Sequence, residues 1–336
     1  MDDFQVPVYS SSEVIEKLQM KWQSVGAGMR KKSYAAMYSS FFGGITIDPA
    51  MMTIPIDDHM VHRGHGVFDT ATIFDGNLYD LDSHLDRLLN SARLAKITPP
   101  FPRHVLKTIL VKLASVSRCR EGSLRYWLSA GPGNFSLSSA GCSESTFYAI
   151  AMQEDHEPRR SEVMQGVKVI TSTVPMKSSI FATIKNVNYL PNVLSVLEAE
   201  QNGAFASIWI DDQGCVAEGP NANIAFITKT NHLLLPSFKK TLGGCTANRL
   251  IHLASKLVRT GVLEGVTTKD ITVKEGKECN EMMFVGSGLL IIPIIAWDDH
   301  PIGDGHVGDR TMILYDLLWD DMKNGPGRQR IPVSYN

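Results

Sequence analysis

Ile180-Phe181-Ala182-Thr183-Ile184-Lys185-Asn186-Val187-Asn188-Tyr189-Leu190-Pro191 sets a lysine between an apolar approach and a group of amide and phenol side chains. An amine in such a setting loses hydration, its pKa falls, and it becomes a nucleophile toward carbonyls. Taken alone, a lysine at a strand end is more often solvated than catalytic. A second stretch changes that balance. Val216-Ala217-Glu218-Gly219-Pro220-Asn221-Ala222-Asn223 follows a turn at 211–214 and supplies a carboxylate suited to keeping a ring nitrogen protonated. Lys185 and Glu218 are the pair from which the rest of the chain is read.

Downstream, Gly243-Gly244-Cys245-Thr246 precedes a helix predicted over 247–260. A helix N-terminus exposes unpaired N–H groups, glycines let a ligand approach the backbone, and Thr246 adds a hydroxyl. A phosphate cradle and an ordinary glycine turn with a threonine cap both fit. Gly286-Ser287-Gly288, after an apolar strand at 282–285, carries the same two readings. Upstream, 71–74 and 78–81 flank Asp75-Gly76 as a β-hairpin, and the helix that follows, opened by a capping Asp or Ser, carries Arg87. Helices are also expected at 13–25, 102–116, 193–200 and 311–322. Strands are expected at 123–130, 147–152, 167–174, 205–210, 216–217 and 224–227. Hairpins and helices without regular alternation indicate an α+β fold. The polar run at 153–166 reads as a linker between a smaller domain, 1–152, and a larger one, 167–336, which carries Lys185.

With 336 residues, 33 basic against 35 acidic, the chain has a formal net charge of −2 and no field to draw nucleic acid or an anionic membrane. Its 43% hydrophobic and 20% charged residues are near globular averages and suffice for two cores. Five cysteines, odd in number and without a C-x-x-C, point to a reducing compartment and a soluble intracellular protein. The acidic start, Met1-Asp2-Asp3, is unlike a signal or transit peptide, so the chain as it stands reads as cytoplasmic. The apolar run at 289–297 is far short of the ~20 residues of a membrane span and reads as a buried strand.

Two motifs are set aside. His59-x-x-His62-x-x-His65 has glycines at 64 and 66 that break a helix, so these are read as polar loop residues beside a cleft, with no metal expected. Gly303-x-Gly305-x-x-Gly308 precedes a helix but lacks the following strand and acidic residue of a dinucleotide site, and is read as a surface turn.

Taken in order, His84-Leu85-Asp86-Arg87-Leu88, Lys185-x-x-Asn188-Tyr189-Leu190, Glu218-Gly219-x-x-x-Asn223, Gly244-Cys245-Thr246 and Gly286-Ser287-Gly288 resemble the fold-type IV pyridoxal-phosphate enzymes. That family includes branched-chain aminotransferases, D-amino acid aminotransferases and aminodeoxychorismate lyases. Asp57-Asp58-His59-Met60-Val61-His62-Arg63-Gly64-His65-Gly66-Val67-Phe68-Asp69-Thr70 and Ser123-Leu124-Arg125-Tyr126-Trp127-Leu128-Ser129 look most like the plant D-amino acid aminotransferase group.

The resemblance implies pyridoxal 5'-phosphate as cofactor, with Lys185 as the Schiff-base lysine and Glu218 at the pyridine nitrogen. Arg87, Thr246, Ser287 and the backbone at Cys245 would hold the phosphate. Tyr189 would stand by the cofactor's 3-oxygen or its phosphate, and Phe68 would line the substrate side. The Arg and His that bind the substrate carboxylate in bacterial D-amino acid aminotransferases are absent, with Gly133-Asn134-Phe135 in that region. Arg125 and Arg63 are the alternatives for that role. The resemblance further implies a homodimer and a small D-amino acid donor with a 2-oxo acid acceptor. Aminodeoxychorismate lyase and branched-chain L-aminotransferase are the rival activities. A non-enzymatic binding protein would be expected to have lost Lys185 or Glu218. Plant relatives also make the chloroplast stroma a compartment to weigh, should a transit peptide have been removed.

Overall fold

The computed structural model describes residues 5–25, 33–153, 165–288 and 290–335. Its first half runs α1 (Ser11–Val25), β1 (Ser33–Ser39), β2 (Gly44–Thr46), α2 (His59–Arg63), β3 (Gly66–Phe74), β4 (Asn77–Tyr79), α3 (Leu81–Leu94), α4 (Arg103–Ser117), β5 (Gly122–Ser129) and β6 (Thr146–Gln153). The second half opens with β7 (Val167–Thr171), α5 (Ser179–Ala182), α6 (Leu190–Gln201), β8 (Ala206–Ile208), β9 (Asn223–Ile227), β10 (His232–Pro236) and α7 (Cys245–Arg259). It ends with β11 (Gly265–Lys269), α8 (Val273–Lys277), β12 (Glu281–Gly286), β13 (Leu290–Trp297), β14 (His300–Pro301), α9 (Asp309–Asn324) and β15 (Arg330–Pro332).

Asp75 and Gly76 both have positive φ (46° and 67°), as a two-residue hairpin turn requires, and they fold β4 back on β3 with Phe74 opposite Asn77. The antiparallel sheet built outward from this hairpin has the order β15-β4-β3-β5-β6-β1-β2. Side chains alternate along β3. Val67, Ala71 and Ile73 enter a core closed by α3 and α4, while Phe68, Thr70 and Thr72 face the opposite way into a cavity. Leu81, Leu85 and Leu88 of α3 sit at helical spacing on that core.

The second sheet is mixed, with the order β11-β10-β9-β12-β13-β7-β8 and β14 paired to β13. Its inner strand β9 is buried at every residue, because α7 and α9 cover one face and a second cluster around Phe226, Phe284 and Trp297 fills the other. Tyr79 of β4, Arg249 of α7 and Asp321 of α9 meet in a buried triad. Tyr79 Oη donates to Asp321 at 2.6 Å, and the Arg249 fork reaches the same carboxylate at 2.8 and 2.5 Å.

The α+β class is what the structure has. Among the described residues no helix is long and apolar enough to cross a membrane. Asp80 stands at the N-cap of α3 but does not cap it; with φ at 50° it accepts from Ser83 Oγ instead. Residues 216–217 form no strand; Val216 makes an isolated bridge to Ile210, and the preceding Cys215 makes one to Thr272. Strands β1, β2, β10, β11, β14 and β15 were not anticipated. The last of these pairs with β4, so the end of the chain joins the first sheet. The expected linker, 153–166, lies almost wholly outside the described residues.

Candidate active site

One cavity of about 470 Å³ lies between the outer face of β3 and β5 and the loops of the second sheet. Lys185 is fixed along β3. Phe68 N donates to Lys185 O at 2.9 Å, Val187 N to Gly66 O at 3.1 Å, and Lys185 N to Ser91 Oγ at 3.2 Å. The backbone is thus pinned on both sides of the residue whose amine enters the cavity. Its Nζ lies 3.5 Å from Tyr189 Oη and 4.7 Å from the Phe68 ring centre. Loss of hydration, helped by the Arg87 charge, lowers the amine's pKa to about 8 against the pull of Asp69 and Glu218.

At one end, α7 begins with Gly244 as an N-cap that makes no side-chain cap bond, so its first N–H groups face the cavity. A Cβ at Gly244 would meet Asn223 Oδ1 at 2.0 Å, which explains the glycine. Asn223 Nδ2 in turn donates to Leu242 O at 2.9 Å. Thr246 and Ser287 face each other with hydroxyl oxygens 3.0 Å apart. Arg87 reaches the same end, its Nε and Nη2 each 2.8 Å from the fully buried Asp69 carboxylate and its Nη1 3.5 Å from Gly243 O. Burial alone would raise the Asp69 pKa, but Arg87 and His84 hold it well below the carboxylate range. A guanidinium, two hydroxyls and an uncapped helix N-terminus converging on one pocket form a donor set that fits a phosphate group.

At the other end, Glu218 is buried and accepts from Leu242 N at 3.1 Å. Burial pushes its pKa up to about 7, against the Leu242 N–H, Lys177 and Lys185. Leu242 therefore ties both ends together, its N–H held by Glu218 and its carbonyl by Asn223. A protonated ring nitrogen beside Glu218 would supply the positive partner that this buried carboxylate needs. The Phe68 and Tyr189 rings pack edge to face at 5.2 Å, and the Arg125 guanidinium lies 5.8 Å from the Phe68 centre while its Nε donates to Thr70 Oγ1 at 3.1 Å.

Lys185, Arg87, Tyr189, Glu218, Cys245, Thr246, Ser287, Phe68 and Arg125 all line this cavity. Arg63 does not; it is exposed and donates to the carbonyls of His62 and Phe135 at 2.9 and 2.5 Å. Asp69, His84 and Lys177 were not singled out as site residues by the sequence. Asp69 is a charged residue inside a strand, and His84 stands one helical turn before Arg87; each is a signal that reads only with hindsight. Lys177 had no motif around it, and its Nζ lies over the Tyr189 ring at 4.6 Å.

Of the motifs set aside, His59 and His62 stand on α2, which Asp58 caps and Gly64 ends, and not on the loop expected for them, and His59 brings its Nδ1 within 3.1 Å of that of His65. Gly303 and Gly305 take positive φ in a turn. The N-terminus of α9 beyond them is already occupied by Glu281, which accepts from Thr311 N at 2.6 Å and leaves no place for a phosphate.

A family model described as amino-transferase class IV matches residues 66–297. The chain belongs to the class IV aminotransferases. This class IV aminotransferase is 51% identical over 331 residues to the chloroplastic D-amino-acid transaminase of Arabidopsis thaliana, covering 98% of this chain and 86% of that protein. It is 27% identical to the D-alanine aminotransferase of Bacillus licheniformis, over 80% and 92% of the two chains. Among solved structures, the branched-chain amino acid aminotransferase of Escherichia coli superposes with a TM-score of 0.81 at 18% identity, covering 90% of this chain and 100% of that one. The branched-chain enzyme of Thermobaculum terrenum in its PLP-form gives 0.78 at 20% identity, over 90% and 99%. At these identities the two structures speak for the fold, and the cavity of this class IV aminotransferase is read from its own residues.

Proposed function

We propose that the protein is a pyridoxal-phosphate transaminase that moves the amino group of a small D-amino acid to a 2-oxo acid. The observation that carries this reading is the set of groups that lines one cavity: phosphate donors, a buried carboxylate and a desolvated lysine. Pyridoxal phosphate, when bound, supplies a sink for electrons from the substrate's α-carbon. Arg87, Thr246, Ser287 and the first N–H groups of α7 would hold its phosphate, and Glu218 would keep its ring nitrogen protonated. Lys185 Nζ would bond the cofactor and carry a proton to and from the substrate's α-carbon, with Tyr189 Oη beside it. Phe68 would bound the substrate side, and Arg125 would take the substrate carboxylate.

The preference for D-amino acids is supported by the identity with the Arabidopsis transaminase, whose chloroplastic designation also supports a chloroplast location. A homodimer is supported by the apolar face of α5 and α6 beside Lys185. There Ile180, Phe181, Leu190, Val193, Leu194 and Leu197 are all 44–69% exposed, the character of a surface that takes a protein partner.

The test is a side-by-side assay of the purified protein with D-alanine plus 2-oxoglutarate, L-leucine plus 2-oxoglutarate, and aminodeoxychorismate. Alanine-dependent glutamate formation with the D-enantiomer is the expected outcome. Turnover confined to L-leucine or to aminodeoxychorismate would overturn the substrate assignment, and protein that binds no pyridoxal phosphate would overturn the whole reading.

A further inference from the structure

We propose that His84 is a positioning residue for the phosphate end of the site, its protonation deciding whether the Ser287 hydroxyl points its hydrogen into the cradle or away from it. This rests on the pyridoxal-phosphate reading above. His84 is buried, with Nδ1 2.8 Å from Asp69 Oδ1. The ionised carboxylate only accepts, so Nδ1 carries a hydrogen. Arg87 Nη2 lies 3.3 Å from the same nitrogen but makes its shorter contact, 2.8 Å, with Asp69. The other ring nitrogen, Nε2, lies 3.4 Å from Ser287 Oγ.

Ser287 has one hydrogen to give. Beside a neutral imidazole, Nε2 can only accept, and the hydroxyl hydrogen turns toward it, away from the cradle. Beside an imidazolium, Nε2 donates to Ser287 Oγ, and the hydroxyl hydrogen is released toward Thr246 Oγ1, 3.0 Å away, or toward an anion held between them. Charge runs the same way. Asp69 already takes the Nε–Nη2 edge of the Arg87 guanidinium and offsets its charge, so an imidazolium restores the positive charge that a phosphate dianion needs.

The groups facing His84 are Asp69 from β3, Asp80 ahead of α3, Arg87 on α3 itself and Cys245 from α7. Tyr126 of β5 faces the Asp69–Arg87 pair from the other side. Burial disfavours the charged ring, but Cys245 and Asp69 together outweigh it and raise the His84 pKa to about 9. A raised histidine pKa means the proton is present below that pH and lost above it. The phosphate is therefore gripped fully near neutrality and less firmly as the pH passes about 9.

The experiment follows the ³¹P resonance of the cofactor bound in the pyridoxamine-phosphate form, which has no covalent bond to Lys185, from about pH 7 to about pH 10. In the wild type the resonance is expected to titrate with a midpoint near 9, and the cofactor's dissociation constant to rise about tenfold across it, the worth of one charge-assisted hydrogen bond. Ser287→Ala removes the responding hydroxyl; its resonance should lose the step, with affinity about tenfold lower already at neutral pH. His84→Gln places an amide N–H that donates at every pH but carries no charge, so retention between that of the wild type and that of Ser287→Ala at neutral pH, with no step near pH 9, is expected. A wild-type resonance with no step near pH 9, a step near 9 that survives in Ser287→Ala, or one that survives in His84→Gln would each overturn the assignment while leaving the transaminase reading intact; a step near 8 belongs to the Lys185 amine. A wild-type protein that holds no cofactor would overturn both.

Discussion

At the phosphate end of the cavity the charged side chains are paired before any ligand arrives. Asp69 takes three hydrogen bonds of 2.8 Å from Arg87 and His84, and Thr246 and Ser287 hold one another. At the mouth, Arg125 is exposed and held by one bond to Thr70, and Lys177 rests over an aromatic face. The first arrangement costs no reorganisation when a phosphate binds, and it suits a group that is the same in every turnover. The second leaves donors free to swing, and it suits substrates that change between the two halves of a transfer reaction. Lys185 stands where the two regimes meet.

That division can be broken in order of severity. Lys185→Ala is expected to lower transamination by more than about 10⁴-fold while the phosphate end still retains cofactor, as measured by turnover alongside equilibrium dialysis. Loss of cofactor together with activity would show that the paired end does not hold it alone. Glu218→Gln removes the buried charge at the ring-nitrogen position, and turnover should fall about 10²- to 10³-fold with little change in retention. Arg125→Ala should leave the visible spectrum of the bound cofactor unchanged and raise KM for the amino donor about tenfold with a smaller change in kcat. An altered spectrum in that variant would mean that the mouth and the cofactor are not separable.

Much of this site was legible because its chemistry is concentrated in short stretches. Lys185 and Glu218 sit next to glycines, prolines and amides that no core strand or helix would choose, and Gly244 was readable as a close approach. The hairpin at Asp75-Gly76 and the run at 289–297 followed from turn chemistry and apolar length. What escaped notice depends on neighbours that are distant in sequence. Asp69 and His84 acquire their roles from each other across 15 residues and from Ser287, 203 residues beyond His84. Strands β10 and β11 pair in parallel across a helix, and β15 finds its partner about three-quarters of the chain's length away. Arg63 is three residues before β3 in sequence, but it ends α2, the left-handed Gly64 turns the chain after it, and its side chain lies at the surface.

The return of β15 to β4 has a mechanical consequence. A polypeptide that passes from one body to the next a single time can open like a book about that joint. Here the tail comes back, so the gap between the sheets is spanned by two lengths of backbone and braced by the Tyr79–Arg249–Asp321 clasp. A rotation that opened the cleft would have to break the pairing of β15 with β4 or the clasp. The width of the cleft is thereby set at folding, and traffic through it falls to side chains and loops at the rim.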